Sequence, residues 1–389
     1  MKIAIIFDRM VWGGIERVGI NYIKLFLRSG HQVDAYILDP ETESIKDELE
    51  QLVPVNVIRF SKRRCPESKW PVILEHKAGI FYRFKFGVLY GGLTILNWVT
   101  KPVYRVKKKY DLAIAFSGHI NDLTFLAEKY INSDKKIAWL HGNQASYYFL
   151  SPGFFRLYSK IRNLICLSEI GDADCVAFNR KHQIKKKKIY NPIEVHLEAA
   201  DEKKIKRLKD EFGDFCLMIG RLASDKDQET VIKAIGSLKD HYGIKKNLLL
   251  VGDGPERNRL EDLVRDMDLT EQVFFEGIRK DVQNYYMAAD IYVHAAPNEG
   301  LPTVFLEAMM YDLPIVSTDA YPGAREILGN NECGLIADYN PEQLAERIIE
   351  VCKDTGLREK LIKKGKERIK DFEPLHVEQE FFGFVNEIN

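Results

Sequence analysis

Short apolar runs recur along the chain, separated by longer stretches in which apolar residues follow helical spacing. In the first half, the runs that fit buried strands are Lys2–Asp8, Gln32–Leu38, Asp111–Ser117, Lys135–His141, Asn163–Glu169 and Lys187–Ile193. In the second half they are Phe215–Gly220, Asn247–Val251, Val273–Glu276, Ile291–Ala296, Pro314–Thr318 and Cys333–Ala337. Strands that alternate with helices indicate parallel sheets covered by helices, so the fold class is predicted as α/β.

The length of 389 residues favours two domains over one. The pattern of strands predicts a first domain over residues 1–193, a linker over 194–203 and a second domain over 204–374. Asn191-Pro192 closes the first domain, and the run Lys185–Lys188 before it is predicted as a solvated turn. The last helix, residues 375–389, has aromatic side chains at positions 381, 382 and 384 and is apolar enough to pack against a domain.

The most informative stretch is Asn298–Tyr311, which follows a predicted strand. Pro302 suits the first position of a helix, where its missing N–H is not needed. Glu299 precedes this helix, and Thr303 and Glu307 share one of its faces. A helix start attracts anions, whereas carboxylates bind sugar hydroxyls, so we expect a ligand with both phosphate and hydroxyl groups. The alternative is two solvated acids that modestly stabilise the helix.

Two cations follow the first strand of the second domain. Arg221 and Lys226 come just after the apolar run Phe215–Gly220. Fixed cations at such a position can bind an anionic group such as a phosphate through charge-assisted hydrogen bonds of about 1.5–3 kcal/mol each. A surface turn with ordinary charges is the alternative. From the residues alone, both interpretations of this cation pair remain open.

In the first domain, candidate ligand-binding residues lie at the carboxyl ends of predicted strands, where open α/β sheets bind ligands. Gly13-Gly14 follows the first strand and allows the backbone to approach a phosphate closely. His119 and His141 stand at the ends of two later strands. A structural hydrogen-bonding role is the alternative for either histidine.

The spacing Glu299-x7-Glu307, with Gly300-Leu301-Pro302-Thr303 inside it, resembles the EX7E motif of retaining family-4 glycosyltransferases, which have the GT-B fold. The segments Gly220-Arg221-Leu222-x3-Lys226 and Gly13-Gly14-x-Glu16-Arg17 resemble the same family. This chain has Ser-Asp where the family usually has Pro-Glu before the lysine. The resemblance covers nearly the whole chain. It implies two doubly wound, Rossmann-like domains that face each other across a cleft, with the C-terminal helix crossing back to the first.

The resemblance also implies roles for individual residues. Arg221 and Lys226 would hold the donor diphosphate, Glu307 the ribose hydroxyls and Glu299 the donor sugar, while His141 would lie near the anomeric centre. The predicted catalytic residues are His141, Arg221, Lys226 and Glu299. The predicted donor-binding residues are Gly13, Gly14, Gly220, Arg221, Lys226, Gly252, Gly277, Ile278, Arg279, Glu299, Gly300, Leu301, Pro302, Thr303 and Glu307.

No cofactor or bound metal is expected beyond the nucleotide-sugar co-substrate, because family members generally act without a metal. The string Asp172-Ala173-Asp174 is interpreted as surface or helix-cap chemistry. The cysteines form no C-x-x-C pair, and Asp8 and Arg9 interrupt the apolar start of the chain. We therefore expect a cytoplasmic protein without a signal peptide.

The net charge is zero, but residues 1–190 carry 31 basic and 18 acidic side chains. Thirteen of the basic residues lie in residues 59–110, interleaved with aromatic residues and opposed by only Glu67 and Glu75. This composition predicts attachment to an anionic membrane surface. Its apolar run, Gly87–Val99, is too short to span a bilayer. The alternatives are a helical pair with a solvated basic face, and RNA binding, for which no motif is present.

The predicted function is retaining, metal-independent transfer of a hexose-type sugar from a nucleotide sugar, with UDP-sugars favoured as donors. The basic, aromatic region favours a lipid-linked glycan acceptor, as in the synthesis of capsule, exopolysaccharide or O-antigen. The alternatives are a nucleotide-sugar epimerase of the same fold and a catalytically idle subunit that binds a nucleotide sugar. No nucleic-acid partner is expected.

Overall fold

The computed structural model of the chain describes residues 1–11, 14–39, 46–77, 79–141, 152–167, 179–193 and 199–388. The chain divides into two compact units. The first unit is Met1–Ile193 with Pro374–Asn389, and the second is Glu194–Glu373. Residues 194–198 of the predicted linker lie outside the described residues.

The first unit is built on a seven-stranded parallel sheet with the order β3-β2-β1-β4-β5-β6-β7. Its strands are β1 (Lys2–Phe7), β2 (Gln32–Ile37), β3 (Val55–Val57), β4 (Lys109–Ala115), β5 (Asn132–Leu140), β6 (Asn163–Cys166) and β7 (Lys185–Lys188). The central strands are buried on both faces, as their continuous apolar runs predict. The order reverses direction between β1 and β4, which places a switch point at their carboxyl ends.

The helices of the first half are α1 (Gly14–Arg28), α2 (Lys46–Leu52), α3 (Lys69–His76), α4 (Ile80–Tyr104), α5 (Ile120–Ala127) and α6 (Pro152–Ile161), with a 3₁₀ turn at Lys62–Arg64. Helix α1 is amphipathic: Ile20, Ile23 and Phe26 are buried in the core, and Arg28 lies in its last turn. The predicted strand–glycine turn–helix–strand unit therefore forms, with Gly14 as the first residue of α1.

The second unit holds a six-stranded parallel sheet with the order β10-β9-β8-β11-β13-β15. Its strands are β8 (Phe215–Ile219), β9 (Asn247–Val251), β10 (Val273–Gly277), β11 (Ile291–His294), β13 (Ile315–Thr318) and β15 (Leu335–Ala337). A separate two-stranded sheet pairs β12 (Asn298–Glu299) with β14 (Tyr321–Pro322). This small sheet carries one of the two predicted glutamates.

The helices of the second unit are α7 (Glu202–Phe212), α8 (Gln228–Tyr242), α9 (Arg257–Asp266), α10 (Gln283–Ala288), α11 (Thr303–Met310), α12 (Gly323–Leu328), α13 (Pro341–Lys353) and α14 (Thr355–Ile369), followed by a 3₁₀ turn at Lys370–Phe372. Local sequence explains several of their ends. The side chain of Asn340 accepts hydrogen bonds from the N–H groups of Glu342 and Gln343, and Pro341 starts α13. Gly243 ends α8 in the left-handed conformation.

The last helix, α15 (Pro374–Glu387), packs on the first unit. The ring of Phe381 lies 4.8 Å from that of Phe26 and stacks 6.0 Å from Trp139. The Nζ of Lys135 donates a hydrogen bond of 2.7 Å to the carbonyl of Val385. The predicted return of the C-terminal helix to the first domain is confirmed. The facing of the two domains across a cleft stays a prediction.

Two expectations about local structure were wrong. The lysine run Lys185–Lys188 forms the edge strand β7, not a solvated turn, and the strand expected at Lys187–Ile193 ends at Lys188. An edge strand pairs on one side only, so it needs backbone hydrogen bonds but few apolar side chains. The pairing of Asn163–Cys166 with Lys185–Lys188 supplies those bonds.

Much of the basic, aromatic region of residues 59–110 folds as a helical pair of α3 and α4. The hydroxyl of Tyr90 on α4 donates to the buried carboxyl of Glu67 at 3.1 Å. Glu75 on α3 accepts two hydrogen bonds from Arg156, at 2.9 and 3.1 Å. Of the helices in the described part of the chain, none is both long and apolar enough to cross a membrane.

Candidate functional site

The strands of the second sheet end together in a set of close backbone contacts. The N–H of Gly220 donates to the carbonyl of Val251 at 3.0 Å, and the N–H of Gly252 donates to the carbonyl of Gly277 at 2.8 Å. Gly252 has φ +141°, and a Cβ there would lie 1.9 Å from the carbonyl oxygen of Gly220. Glycine is therefore required at position 252 by the backbone packing itself. The structure brings these three predicted glycines to one edge of the sheet.

Lys226 and Glu299, which are 73 residues apart in sequence, form an ion pair at this edge. Lys226 lies in the loop between β8 and α8, and Glu299 lies in β12. Both side chains are largely buried, with 27% and 15% of their surface exposed. The buried His294, the last residue of β11, places Nε2 3.4 Å from the same carboxylate oxygen. The result is a Lys226–Glu299–His294 cluster.

The environment of Glu299 keeps its carboxyl ionised. Burial on its own raises the pKa of Glu299, but the contacts with His294 and Lys226 outweigh this effect. The pKa of Glu299 is therefore lowered. Glu299 remains a carboxylate, which can accept hydrogen bonds from sugar hydroxyls.

The position of Glu299 is fixed by the small sheet of β12 and β14. Its backbone pairs with Pro322, and the following Gly323 packs under the loop that leads to α11. A Cβ on Gly323 would lie 2.7 Å from the carbonyl oxygen of Glu299 and 2.6 Å from the Cδ of Pro302. The prediction that Pro302 starts the helix was wrong by one residue: with ψ 100°, it is the N-cap, and α11 begins at Thr303. With Pro302 as the N-cap, the first turn of α11 still has backbone N–H groups that can bind an anion.

Glu307 lies on α11 and is anchored by a tyrosine. The hydroxyl of Tyr286 donates to Glu307 Oε2 at 2.9 Å. Burial raises the pKa of Glu307, and the hydrogen bond from Tyr286 only partly offsets this. The rings of Tyr286, Tyr292 and His294 follow one another at 5.8 and 6.4 Å between centroids. This row of rings runs from Tyr286, which holds Glu307, to His294, which contacts Glu299. The two glutamates therefore lie in the same region of the second unit.

Three other predicted donor-binding residues, Arg221, Ile278 and Arg279, are not part of the cluster. The side chain of Arg221 is 60% exposed, and its guanidinium pairs with Asp225 at 2.9 Å. Arg279 pairs with Glu276 at 3.0 Å, and the side chain of Ile278 is 78% exposed. Arg221 and Arg279 thus pair with acids close to them in sequence. Both arginines, like Ile278, have their side chains at the surface of the unit.

The first unit carries the remaining predicted residues. The Nε2–H of His141 donates to the carbonyl of Phe116 at 2.6 Å, so the other ring nitrogen carries the lone pair. Burial lowers the pKa of His141 to about 4, which keeps the ring neutral at physiological pH. Gly14 is exposed at the start of α1. Gly13 and the Asp172-Ala173-Asp174 string lie outside the described residues.

Two residues of the candidate site, His294 and Tyr286, were missed by sequence reasoning. His294 stands at the carboxyl end of a predicted strand, so the rule that selected His119 and His141 could have found it. Tyr286 had no comparable signal, because a tyrosine in a short helix is usually part of the core. Among the described residues, no three His, Cys, Asp or Glu side chains are grouped to hold a metal ion. Action without a metal stays a prediction.

Residues 199–368 match the sequence profile of the family described as Glycosyl transferases group 1. A Campylobacter jejuni relative, "GalNAc-alpha-(1->4)-GalNAc-alpha-(1->3)-diNAcBac-PP-undecaprenol alpha-1,4-N-acetyl-D-galactosaminyltransferase", is 27% identical over 346 residues, covering 86% of this chain and 90% of the relative. The "N-acetylgalactosamine-N,N'-diacetylbacillosaminyl-diphospho-undecaprenol 4-alpha-N-acetylgalactosaminyltransferase" of the same organism is 28% identical over 200 residues, covering 51% of this chain and 52% of the relative.

Among solved structures, HepE of Anabaena in complex with UDP and glucose is similar over 100% of both chains, with a TM-score of 0.68 and 21% identity. At this identity, the similarity concerns the fold. Together with the two parallel sheets of the described units, it confirms the predicted GT-B fold class of two Rossmann-like domains.

Proposed function

We propose that this chain, which belongs to the group 1 glycosyltransferases, transfers a hexose-type sugar from a nucleotide sugar to a hydroxyl of a glycan acceptor. UDP-sugars are the favoured donors. The observation that carries the proposal is the largely buried Lys226–Glu299–His294 cluster just before α11. A cation, two carboxylates and the N–H groups of a helix start match the diphosphate and hydroxyls of such a donor.

In the proposed mechanism, Lys226 exchanges Glu299 for the diphosphate, and the released carboxylate binds hydroxyls of the donor sugar. Arg221 also binds the diphosphate, after its side chain turns inward from the surface. Its exposed pair with Asp225 is worth only about 0–1 kcal/mol, so turning toward the diphosphate costs little. Glu307, held by Tyr286, binds the ribose hydroxyls. These groups stabilise the negative charge that develops on the leaving diphosphate.

We extend the proposal to retention of the anomeric configuration without a bound metal, as the resemblance to family-4 enzymes implies. The leaving phosphate oxygen takes the proton of the acceptor hydroxyl as the new glycosidic bond forms on the same face. The names of both Campylobacter jejuni relatives specify undecaprenol-linked diphosphate acceptors. The proposed acceptor here is accordingly a lipid-linked glycan in the synthesis of a surface polysaccharide.

A transfer assay tests this function. The full chain is incubated with UDP-glucose, UDP-GlcNAc or UDP-GalNAc and a short-chain polyprenyl diphosphate that carries an N-acetylhexosamine disaccharide. We expect UDP release and an acceptor mass increased by one sugar, with an α-linkage detected by NMR. An epimerised nucleotide sugar formed without acceptor would identify the epimerase alternative. Binding of the nucleotide sugar with no conversion would identify an idle subunit.

The second part of the proposal is attachment to an anionic membrane surface through residues 59–110. Large apolar side chains stand exposed along α4: Ile80, Phe81, Phe84, Val88, Ile95, Leu96, Trp98, Val99 and Val103. Near its end, a cavity of about 850 Å³ is lined by Trp98, Val99, Lys101, Pro102, Arg105 and Lys107. Aromatic and aliphatic groups beside cations suit the boundary between lipid chains and anionic headgroups. This favours a membrane over a second protein, whose interfaces are depleted in lysine.

Liposome flotation tests the attachment. The chain should float with vesicles that contain an anionic lipid and remain at the bottom with neutral vesicles or in high salt. Trp98→Glu should weaken binding about tenfold or more, because burial of a large apolar side chain is worth about 1.5–3 kcal/mol. Leu375→Glu, which changes an exposed leucine on α15, is the matched control. Equal flotation with anionic and neutral vesicles would contradict the proposal.

A further inference from the structure

His294, the last residue of β11, is a polar ring in largely apolar surroundings. Only 2% of its surface is exposed, and its backbone pairs with that of Ser317 in β13. The ring stacks on Tyr292 and meets Phe305 edge-on, at 6.4 and 5.1 Å between centroids. Among the described residues, neither ring nitrogen has a hydrogen-bond partner in good geometry. Unpaired buried polar atoms cost stability, so packing alone does not explain a histidine at this position.

The polar contact of this ring is with Glu299. Nε2 of His294 lies 3.4 Å from Oε1 of Glu299, which is longer than the usual N–H···O distance of about 2.7–3.2 Å. The ammonium group of Lys226 donates to the same oxygen, so neither contact uses Oε2. A carboxylate only accepts hydrogen bonds, which favours the ring hydrogen on Nε2. His294 is therefore a donor beside an oxygen that Lys226 already occupies.

Binding of a donor changes the partners of Glu299. In the proposed function, Lys226 leaves Glu299 for the diphosphate, and the carboxylate stays in place with only 15% of its side chain exposed. A buried carboxylate that loses its cation is costly unless another hydrogen-bond donor replaces it. His294 carries such a donor and needs to move only slightly to reach normal hydrogen-bond distance.

The ionisation of Glu299 already depends on this ring. Burial raises the pKa of Glu299, and the contacts with His294 and Lys226 together lower it by more. An ionised carboxylate is the stronger acceptor for sugar hydroxyls. Because both contacts use Oε1, Oε2 remains to accept from the donor sugar.

We infer that His294 is a positioning residue for the donor sugar. When Lys226 turns to the diphosphate, the Nε2–H of His294 takes its place on Oε1 of Glu299 and holds the carboxylate with Oε2 toward the sugar hydroxyls. This role rests on the proposed transferase function, since it requires a nucleotide sugar bound at Lys226. No bond is made or broken at His294.

This role can be separated from a role in packing. An apolar ring of similar shape would fit between Tyr292 and Phe305 without leaving buried nitrogens unpaired. His294→Phe should therefore keep or raise the melting temperature of the chain while it impairs binding of the donor sugar. A histidine that served packing alone would give no loss of sugar binding in a stable variant.

Titration calorimetry of the full chain without acceptor tests the role. The probes are UDP and whichever of UDP-glucose, UDP-GlcNAc and UDP-GalNAc binds wild type most tightly. His294→Phe should weaken binding of this UDP-sugar about tenfold, the effect of one charge-assisted hydrogen bond at the lower end of its range. Binding of UDP should change little, because UDP carries no sugar for Glu299 to hold.

Two further substitutions test which ring nitrogen acts. His294→Gln places an amide N–H close to the position of Nε2, whereas His294→Asn places one closer to that of Nδ1. The glutamine variant should recover most of the affinity for the UDP-sugar, and the asparagine variant should not. His241→Phe, at an exposed histidine of α8, is the matched control and should change neither affinity. His294→Leu replaces the phenylalanine variant if that variant does not fold.

The outcomes separate this role from the proposed function. Wild-type affinity for the UDP-sugar in a folded His294→Phe variant would overturn the positioning role, as would equal weakening of UDP and UDP-sugar binding with a lowered melting temperature. Both results leave the transferase function standing. Binding of a UDP-sugar by wild type without transfer to any acceptor would overturn the transferase function alone, since the calorimetry needs no acceptor. A wild type that binds none of these UDP-sugars would overturn both.

Discussion

Replacing Lys226 by alanine is expected to lower kcat/KM for the UDP-sugar by about 100-fold while the chain stays folded. In the proposed mechanism, the ammonium group makes charge-assisted hydrogen bonds to the departing diphosphate, each worth about 1.5–3 kcal/mol. The same change removes the lysine partner of Glu299 and leaves its contact with His294. Initial rates of UDP release measure the effect, and circular dichroism with thermal melting checks the fold.

Lys233→Ala is the matched control for Lys226→Ala. Lys233 also pairs with a glutamate, Glu229, at 2.6 Å, but it is an exposed residue of α8. Exposed ion pairs contribute about 0–1 kcal/mol, so its removal should change neither rate nor stability appreciably. Near wild-type turnover in a folded Lys226→Ala variant would remove the assignment of the diphosphate site.

The second large effect is expected at Glu307. Glu307→Gln keeps the size of the side chain and an oxygen for Tyr286 but loses the charge that strengthens hydrogen bonds to ribose hydroxyls. The KM for the UDP-sugar should rise about tenfold or more, since one charge-assisted hydrogen bond contributes about 1.5–3 kcal/mol. Because burial raises the pKa of Glu307, wild type should lose donor affinity as the pH falls through that raised pKa.

Measuring the KM for the UDP-sugar over a range of pH distinguishes the ribose contact of Glu307 from a general effect on folding. In Glu307→Gln the acid-induced loss of donor affinity at this site should be absent, since no titrating group remains there. Glu359→Gln, at an exposed residue of α14, is the control and should keep the wild-type pH dependence. A Glu307→Gln variant with the wild-type KM at every pH would exclude the ribose contact.

Much of the fold could be predicted because the central strands have the strongest sequence signal. The runs at Lys2–Phe7, Phe215–Ile219 and Asn247–Val251 are buried on both faces, and such strands must be continuously apolar. Edge strands carry no such requirement. The three-residue β3 and the all-lysine β7 are held by backbone pairing with neighbours, which the pattern of side chains does not record.

The candidate site, too, could be predicted from the sequence only in part. Glu299, Glu307 and Lys226 were selected by spacing and residue type, but the contact of Lys226 with Glu299 joins segments 73 residues apart and depends on how β8 and β11 lie together in the sheet. Tyr286 takes its role from packing against α11. The sequence also did not show that Arg221 pairs with Asp225, because an exposed arginine can pair with whichever acid is within reach.

The account depends on a diphosphate lying beside Lys226 at the start of α11, and a crystal structure of the full chain with UDP measures this directly. The β-phosphate should lie within hydrogen-bond distance of Lys226 Nζ and of N–H groups at Leu301 or Thr303, with the ribose hydroxyls on Glu307. Ordered UDP bound elsewhere in the chain, with the Lys226–Glu299 pair unchanged, would contradict it.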